Sequence, residues 1–265
     1  MNQEEIQQRN HVRVFGKGKK TIMFAHGFGC DQQVWHRITP AFEKDYQVVL
    51  FDYVGSGYSD KHAYQLDRYK TPAGYASDVL EICDAFDLRD VIFVGHSISG
   101  VIGLLASIER PELFDKLCLI GSSPRYINEP GYAGGFEEDD IDDLIEMMER
   151  NYKEWAQYLA PIASKNTDRP ALTEEFEAYL MANDRQIVKH FCEMTFKIDV
   201  RDQLEKVETP SLLLQSQDDT IVPYEISRYM HEKMKNSKLV LMQATGHNPH
   251  LSAPEEVIQY IKEFI

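Results

Sequence analysis

The stretch VIFVGHSISG, residues 91–100, places a serine at a corner where an apolar run ends. Residues 91–95 resemble a strand buried on both faces of a sheet, and small residues follow Ser97. A strand–turn–helix corner of this kind, with the pattern G-x-S-x-G, presents the Oγ of its serine above the carboxyl edge of an α/β sheet. Ser97 is therefore the candidate nucleophile, and the fold prediction starts from it.

The motif departs from the pattern at its fifth position, where Ser99 stands and glycine comes one residue later at Gly100. This position lies where the new helix packs against the strand, so it requires a small residue and not glycine itself. Gly100 and Gly103 keep the start of the helix narrow. We expect Ser99 to be tolerated, and as a competing nucleophile it would point away from the site.

Composition and charge limit the class of protein. The 265 residues are 43% hydrophobic, which is enough for a core, and 28 basic against 43 acidic side chains give a net charge of −15. This balance argues against nucleic-acid binding, which needs basic patches. Part of the acid lies in FEEDDIDDLIEMMER (136–150), whose apolar residues recur at helical spacing. We expect an amphipathic helix with an acidic solvated face.

The four cysteines, Cys30, Cys83, Cys118 and Cys192, are widely spaced and form no C-x-x-C pair. They are typical of reduced, packed cysteines in a cytosolic protein. The first 20 residues, MNQEEIQQRNHVRVFGKGKK, contain no apolar core of a signal peptide, and no stretch is long enough to span a membrane. We expect a cytoplasmic protein, monomeric and without a bound cofactor.

Nearly continuous apolar runs alternate with helical patterns along most of the chain. The runs are TIMFA (21–25), QVVLFD (47–52), VIFVG (91–95), KLCLIG (116–121), SLLLQS (211–216) and KLVLMQ (238–243). This alternation predicts an open, mostly parallel, doubly wound α/β sheet. Between about 122 and 200 only helical patterns occur. We expect a core of residues 1–121 and 201–265, with 122–200 inserted as a helical cap over the carboxyl edge of the sheet.

Acyl transfer by a serine needs a base, and an acid that orients the base. In this architecture they follow the serine in the order acid, then histidine. Asp218 and Asp219 come directly after the run 211–217, and His247 and His250 follow the last run. Asp219 is preferred because D-x-x-V-P begins there, with Asp218 second. His247 is preferred because a glycine precedes it, and His250 is expected to pack nearby. A metal pair of the two histidines lacks an evident third ligand.

The negative charge that develops on the carbonyl oxygen needs donors. We expect the backbone N–H of Ile98, directly after the serine, and that of Phe28, in the loop AHGFG (25–29) after the first parallel strand. His26 and His96 flank these two motifs. Both are expected to brace the loops and take no direct part in chemistry.

Several motifs carry a resemblance to the α/β-hydrolase superfamily that runs over essentially the whole chain. They are FGCDQQVW (28–35), FDYVGSGYSD (51–60), GHSISG (95–100), PRYINEPGYAGGFE (124–137), NYKEWA (151–156) and GHNPHLS (246–252). Within the superfamily, the chain resembles the small group that contains the bacterial stress-response hydrolase RsbQ and the plant karrikin and strigolactone receptors.

The resemblance implies a cap of four helices and a narrow apolar pocket above the serine. The residues that match the pocket wall are Phe28, Tyr126, Phe136, Trp155 and Phe196. Leu159 stands where the plant receptors commonly carry an aromatic side chain, so the pocket is expected to be wider or differently shaped. The resemblance therefore does not carry a ligand preference to this chain.

Two functions fit these features. The first is a serine hydrolase for a small apolar ester or lactone, which by resemblance to RsbQ would act as a positive regulator of the sigma-B stress pathway through a phosphatase with a PAS domain. The second is a slow-turnover, butenolide-binding receptor that recruits a signalling partner, with the acidic cap helix (137–149) as a docking face. A cofactor-free peroxidase, a C–C hydrolase and a protein with a vestigial site stay open as alternatives.

Overall fold

The computed structural model describes residues 1–265 and contains one seven-stranded sheet in the order β1-β3-β2-β4-β5-β6-β7. The strands are β1 (Arg13–Gly16), β2 (Lys20–Ala25), β3 (Tyr46–Leu50), β4 (Val91–His96), β5 (Phe114–Ile120), β6 (Ser211–Asp218) and β7 (Ser237–Thr245). All neighbouring strands are parallel except β1 and β3. Each of the six apolar runs falls on a strand, so the predicted mostly parallel α/β sheet is confirmed.

Eleven α-helices connect and surround the strands. They are α1 (Gln3–Arg9), α2 (Leu66–Tyr69), α3 (Pro72–Ala85), α4 (Ile98–Glu109), α5 (Glu138–Arg150), α6 (Tyr152–Ser164), α7 (Pro170–Met181), α8 (Arg185–Phe196), α9 (Tyr224–Lys233), α10 (Pro249–Ser252) and α11 (Pro254–Phe264). Short 3₁₀ segments occupy Gln32–Trp35, Thr39–Ala41, Lys61–Ala63, Pro111–Leu113 and Arg201–Lys206. No helix is both long and apolar enough to cross a membrane.

Four helices, α5 to α8, lie between β5 and β6, inside the segment that the sequence assigns to a cap. Helix α5 carries the acidic stretch, and its apolar stripe of Ile141, Leu144, Ile145 and Met148 is buried. The amphipathic helix is therefore confirmed. A loop without helix leads from β5 to α5 and pairs Ile127 with Phe136 through an isolated bridge.

Strand β1 was not predicted, and the physical reason lies in its short and exposed sequence. It has four residues, of which three are exposed and one is half-buried. It pairs antiparallel with β3, with Arg13 opposite Leu50. Four residues are too few to show an apolar run, and the position of the strand at the edge of the sheet leaves most of it exposed.

The strand order reverses direction between β2 and β4, which are adjacent and in register from Ile22–Ile92 to Ala25–Gly95. In open α/β sheets the crevice at such a switch point collects the loops that follow the two strands. The loop after β2 contains Phe28, and the turn after β4 contains Ser97. The topology therefore brings the two predicted motifs to one place.

A buried ion cluster fastens the N-terminal helix to the core. The Asp78 side chain is fully buried on α3, 3.2 Å from the Arg9 guanidinium of α1 and 2.6 Å from that of Arg68. The Tyr69 hydroxyl donates to its other oxygen at 2.9 Å. The Arg9 guanidinium also donates to Glu81 at 2.5 Å, so the charges on Asp78 and Arg9, removed from water, are solvated by each other and by these neighbours.

We expect Asp78→Ala to lower the free energy of unfolding by about 3–5 kcal/mol, because it removes the buried carboxylate of the cluster and leaves Arg9 and Arg68 with Glu81 as their acidic partner. The matched control is Asp84→Ala on the same helix, whose pair with Arg110 at 3.3 Å has side chains 53% and 37% exposed. That exposed pair is expected to be worth less than about 1 kcal/mol. Urea denaturation of the two variants checks the difference, and equal losses would contradict the role given to the cluster.

Candidate active site

Ser97 lies in the turn between β4 and α4 with φ 56° and ψ −123°, a backbone conformation that residues other than glycine rarely adopt. Its amide donates to the Ile120 carbonyl of the neighbouring strand at 2.8 Å. The turn is tight because strand and helix touch closely: a Cβ on Gly95 would lie 2.6 Å from the backbone of Ser99. A Cβ on Gly100 would lie 1.9 Å from the Ser122 Oγ. The strained turn points the Ser97 hydroxyl away from the sheet edge.

The structure brings Ser97, His247 and Asp219 into one hydrogen-bonded chain. His247 Nε2 lies 2.9 Å from the Ser97 Oγ, and His247 Nδ1 lies 2.8 Å from the Asp219 Oδ2. Nδ1–H therefore donates to the carboxylate, which leaves Nε2 free to accept the serine proton. An arrangement of this kind can activate a hydroxyl for attack on a carbonyl carbon.

Asp219 is buried and held by main-chain donors. Its Oδ1 accepts from the amides of Ile221 at 2.8 Å and Val222 at 3.0 Å. Burial by itself would raise the pKa of this carboxyl, but the charge and hydrogen bond of His247 and these two amides outweigh it and lower the pKa. The carboxyl is thus ionised and able to orient the imidazole. Asp218, the second candidate, is instead exposed and pairs with Lys165 at 2.5 Å.

The other histidines of the site pack behind this chain. His96 Nε2 lies 2.8 Å from the His247 carbonyl, and burial with the nearby His247 lowers the pKa of His96 to about 3. Its ring lies 4.3 Å from that of His250, whose pKa burial also lowers well below the ordinary value. The His250 ring lies 4.8 Å from the Trp35 ring. His96 and His250 are therefore braces, in the positions expected of them.

Ser99, at the fifth position of the serine motif, braces the loop after β2. Ser99 Oγ donates to the His26 carbonyl and lies 2.9 Å from the Tyr53 hydroxyl. The His26 ring contacts the Gly27 carbonyl at 2.9 Å and accepts from the Tyr53 amide at 3.2 Å. Ser99 thus points into the core and away from Ser97, and its hydroxyl links α4 to this loop.

Two amides are placed as the predicted donors to a developing oxyanion. Phe28 N–H makes no hydrogen bond within the protein. Ile98 is the first residue of α4, where a helix leaves its amides without partners from its own carbonyls. Both residues are buried next to Ser97 at the switch point of the sheet. Their role in stabilising an oxyanion stays a prediction.

A small cavity opens beside Ser97. The centre of a water molecule can occupy a volume of about 20 Å³ in this cavity, so there is room for about one water. Its wall is mostly apolar and combines residues of core and cap: Phe28, His96, Ser97, Tyr126, Leu159, Ala163, Phe176, Thr195, Phe196, Ile221, His247 and Asn248. The Tyr126 hydroxyl lies 3.4 Å from the Ser97 Oγ.

Two of the aromatics expected in the wall lie one layer behind it. Phe136 packs against Phe196 with ring centroids 5.8 Å apart, and Trp155 packs against Phe28 at 6.1 Å. Trp155 is fully buried. Phe136 and Trp155 do not line this small cavity, and their place in the wall of a substrate pocket stays a prediction.

The C-terminal end of α6 connects the cap to the loops that carry the acid and the base. The His247 amide donates to the Ala163 carbonyl at 2.7 Å. The hydroxyl of Thr220, the residue after Asp219, donates to the Ile162 carbonyl at 2.7 Å. One end of a cap helix therefore holds both loops.

The comparisons with known proteins agree with this geometry. The profile of the alpha/beta hydrolase fold family matches residues 20–254. The chain belongs to the α/β-hydrolase family. A solved hydrolase from Oleispira antarctica superposes on this α/β hydrolase with a TM-score of 0.97 at 39% identity, over 100% of this chain and 97% of that one.

Plant receptors and esterases are similar to this α/β hydrolase along its whole length. The karrikin insensitive 2 receptor CA of Petunia hybrida is 38% identical over 98% of this chain and 97% of its own. The strigolactone esterase D14 of Arabidopsis thaliana is 39% identical over 99% and 98%. The predicted resemblance to the karrikin and strigolactone receptors is confirmed, and the resemblance to RsbQ stays a prediction.

Five wall residues of this α/β hydrolase were not identified from the sequence, namely Ala163, Phe176, Thr195, Ile221 and Asn248. Ile221 and Asn248 could have been found, because they adjoin the acid and base motifs. The other three lie on α6, α7 and α8, and only the packing of the cap helices decides which of their faces meets the cavity.

Burial of neutral histidine makes stability depend on pH. Since the pKa of His96 is about 3 in the folded state and near 6.5 when unfolded, the unfolded chain binds more protons as pH falls through this interval. Stability is therefore lost on acidification from about pH 6.5 downwards. Asp219 has a lowered pKa, so its contribution is lost only at more acidic pH.

We expect His96→Asn to reduce the stability difference between pH 7.5 and 5.0 by about 2 kcal/mol, because one such proton is worth about 1.4 kcal/mol per pH unit. Urea denaturation at the two pH values measures it. The control is His62→Asn, whose exposed ring meets water in both states. A variant with the pH dependence of the wild type would show that His96 is not kept neutral by burial.

Proposed function

We propose that this α/β hydrolase is a serine hydrolase that cleaves a small, largely apolar ester or lactone through an acyl-enzyme. The observation that carries the proposal is the chain from the Ser97 Oγ through His247 to the ionised Asp219, with distances of 2.9 and 2.8 Å. The chain meets a cavity at the switch point of the sheet. Nucleophile, base and orienting acid are thus in reach of one bound carbonyl group.

Acylation begins when the Ser97 Oγ bonds to the carbonyl carbon of the substrate and its proton passes to His247 Nε2. The carbonyl oxygen takes up the negative charge and accepts hydrogen bonds from the Phe28 and Ile98 amides. Asp219 stabilises the imidazolium that forms. When the tetrahedral intermediate collapses, the C–O bond to the leaving alcohol breaks, and the departing oxygen takes the proton from His247 Nε2.

Deacylation repeats these steps with water. His247 accepts a proton from the water as its oxygen bonds to the acyl carbon, and then returns the proton to the Ser97 oxygen as the acid departs. With a lactone, the leaving alcohol stays attached to the acyl group, and the product is one hydroxy acid. The buried neutral His96 helps to hold His247 in place, because its Nε2–H donates to the His247 carbonyl at 2.8 Å.

The cavity and the relatives support the substrate class. The wall is mostly hydrophobic, with Leu159, Phe176 and Phe196 contributed by the cap helices. The similar plant proteins bear the names of a strigolactone esterase and a karrikin receptor. These names, together with the narrow cavity, favour a small lactone over a long-chain lipid ester.

The proposed cellular role is positive regulation of sigma-B stress signalling, exerted on a phosphatase with a PAS domain by a monomeric, cytoplasmic protein. The resemblance of the sequence motifs to RsbQ supports it. A second candidate is a receptor whose slow turnover matters less than ligand-dependent binding of its partner. The small cavity favours this candidate, because a ligand larger than the cavity moves the cap residues in its wall and so changes the outer surface.

We expect Ser97→Ala to lower hydrolysis of a short-chain nitrophenyl ester and a butenolide by at least about 10³-fold, because it removes the nucleophile. A time course combined with intact mass spectrometry measures turnover and the acyl adduct. Ser107→Ala is the matched control: it removes a buried hydroxyl from the same helix that only donates to the Leu104 carbonyl.

Multiple turnovers that disappear in Ser97→Ala would support the hydrolase. One slow turnover with a persistent adduct would favour the receptor. Full activity in Ser97→Ala would contradict both. An adduct that survives in Ser97→Ala and is lost in Ser99→Ala would transfer the nucleophile to Ser99.

A further inference from the structure

Two polar side chains in the cavity have no hydrogen-bond partner. Thr195, on cap helix α8, is 1% exposed, and Asn248, directly after the base His247, is 4% exposed. Both line the cavity beside Ser97. The Thr195 Oγ1 and both amide atoms of Asn248, Nδ2 and Oδ1, are buried and unpaired. Among the other wall residues between 122 and 200, Tyr126 places its hydroxyl 3.4 Å from the Ser97 Oγ, and the rest are apolar: Leu159, Ala163, Phe176 and Phe196.

The usual structural role of an asparagine at this position is not used. Asn248 is the N-cap of α10, where an asparagine side chain ordinarily accepts from the first amides of the helix. Here its side chain makes no such bond. The amides of Leu251 and Ser252 donate to its main-chain carbonyl instead, at 3.0 and 3.1 Å. The carboxamide therefore does not cap the helix. A residue without a carboxamide would allow the helix to begin here equally well.

Leaving these atoms unpaired is unfavourable, because they gave up water on burial. A primary amide offers two donor hydrogens and two acceptor lone pairs, and a threonine hydroxyl adds one donor. The cavity holds about one water, which satisfies only part of this capacity. Pairs of this kind, unsatisfied in the free protein, are typical of sites that recognise a polar group on a ligand.

We propose that Asn248 and Thr195 form a polar subsite that binds a hydroxyl group of the substrate, separate from the carbonyl that Ser97 attacks. A hydroxyl matches the set because it can donate to the Asn248 Oδ1 and accept from the Asn248 Nδ2 or the Thr195 hydroxyl. The inference rests on the proposed hydrolase function and narrows its substrate to a small hydroxylated lactone or ester. Since Asn248 belongs to the core and Thr195 to the cap, such a substrate also joins the two.

The test compares lactones that differ only in a hydroxyl or a methyl group: the α- and β-hydroxy-γ-butyrolactones with the corresponding methyl lactones. We expect the wild type to prefer the hydroxyl member at one ring position by at least tenfold in kcat/KM. Asn248→Leu, which keeps the side-chain size, should remove or reverse this preference. Thr195→Val should weaken it. Loss of the preference, and not of overall rate, separates recognition from a structural role.

The matched control is Ser216→Ala. Ser216 Oγ is likewise buried and unpaired, but it lies on β6 outside the cavity wall. This variant should keep the wild-type preference. A wild type without preference at either position, or Asn248→Leu with an unchanged preference, would overturn the inference while leaving the hydrolase intact.

Ligand-detected NMR measures binding of the same lactones to the Ser97→Ala protein. This experiment separates the polar subsite from the hydrolase function. If no lactone is hydrolysed but the hydroxyl preference in binding is present and depends on Asn248, the subsite stands and the hydrolase function fails. If binding shows no such preference, the subsite fails whatever the rate of hydrolysis.

Discussion

The backbone conformation of Ser97 is the constraint on which the rest of the site depends. A residue held at φ 56° costs about 1–3 kcal/mol and persists only where its surroundings impose it. Here Gly95 lets strand β4 lie against the backbone of helix α4, and Gly100 lets the helix lie against Ser122 after β5, so the turn between strand and helix is tight. The strain lifts the hydroxyl out of the sheet to where His247 can reach it. Strand order then decides what else is near, because the switch point puts Phe28 beside the same turn.

Burial acts on the ionisable groups of the site in two different ways. Burial lowers the pKa of His96, and the nearby His247 lowers it further, because the charge of Asp219 compensates only in part. The pKa of Asp219 is also lowered, but against the effect of burial, since His247 and two amides stabilise the charged form. One buried environment therefore holds neutral histidines next to an acid whose pKa is lowered. The base between them keeps a fixed orientation with a free lone pair toward Ser97.

The strands and the residues of the hydrogen-bonded chain could be predicted from the sequence. In a parallel sheet, apolar runs mark the strands, and the loops that follow the strands meet at one edge. Apolar runs located six of the seven strands, and the order of motifs after Ser97 selected Asp219 and His247, which the structure places in one chain. Strand β1 escaped because four residues are too few to show an apolar run. The cavity wall was harder. Which face of a cap helix turns inward depends on packing between helices, so Trp155 was expected in the wall and Thr195 was not.

A hydrogen bond at the C-terminal end of helix α6 links the position of the cap to the position of the base, His247. The Ala163 carbonyl accepts the His247 amide, so a cap that tilts to admit a ligand pulls on the residue that must later accept the serine proton. The hydroxyl of Thr220, beside the acid, donates to the same end of α6, so a ligand that moves this helix would change the backbone positions of the base loop and the acid loop together.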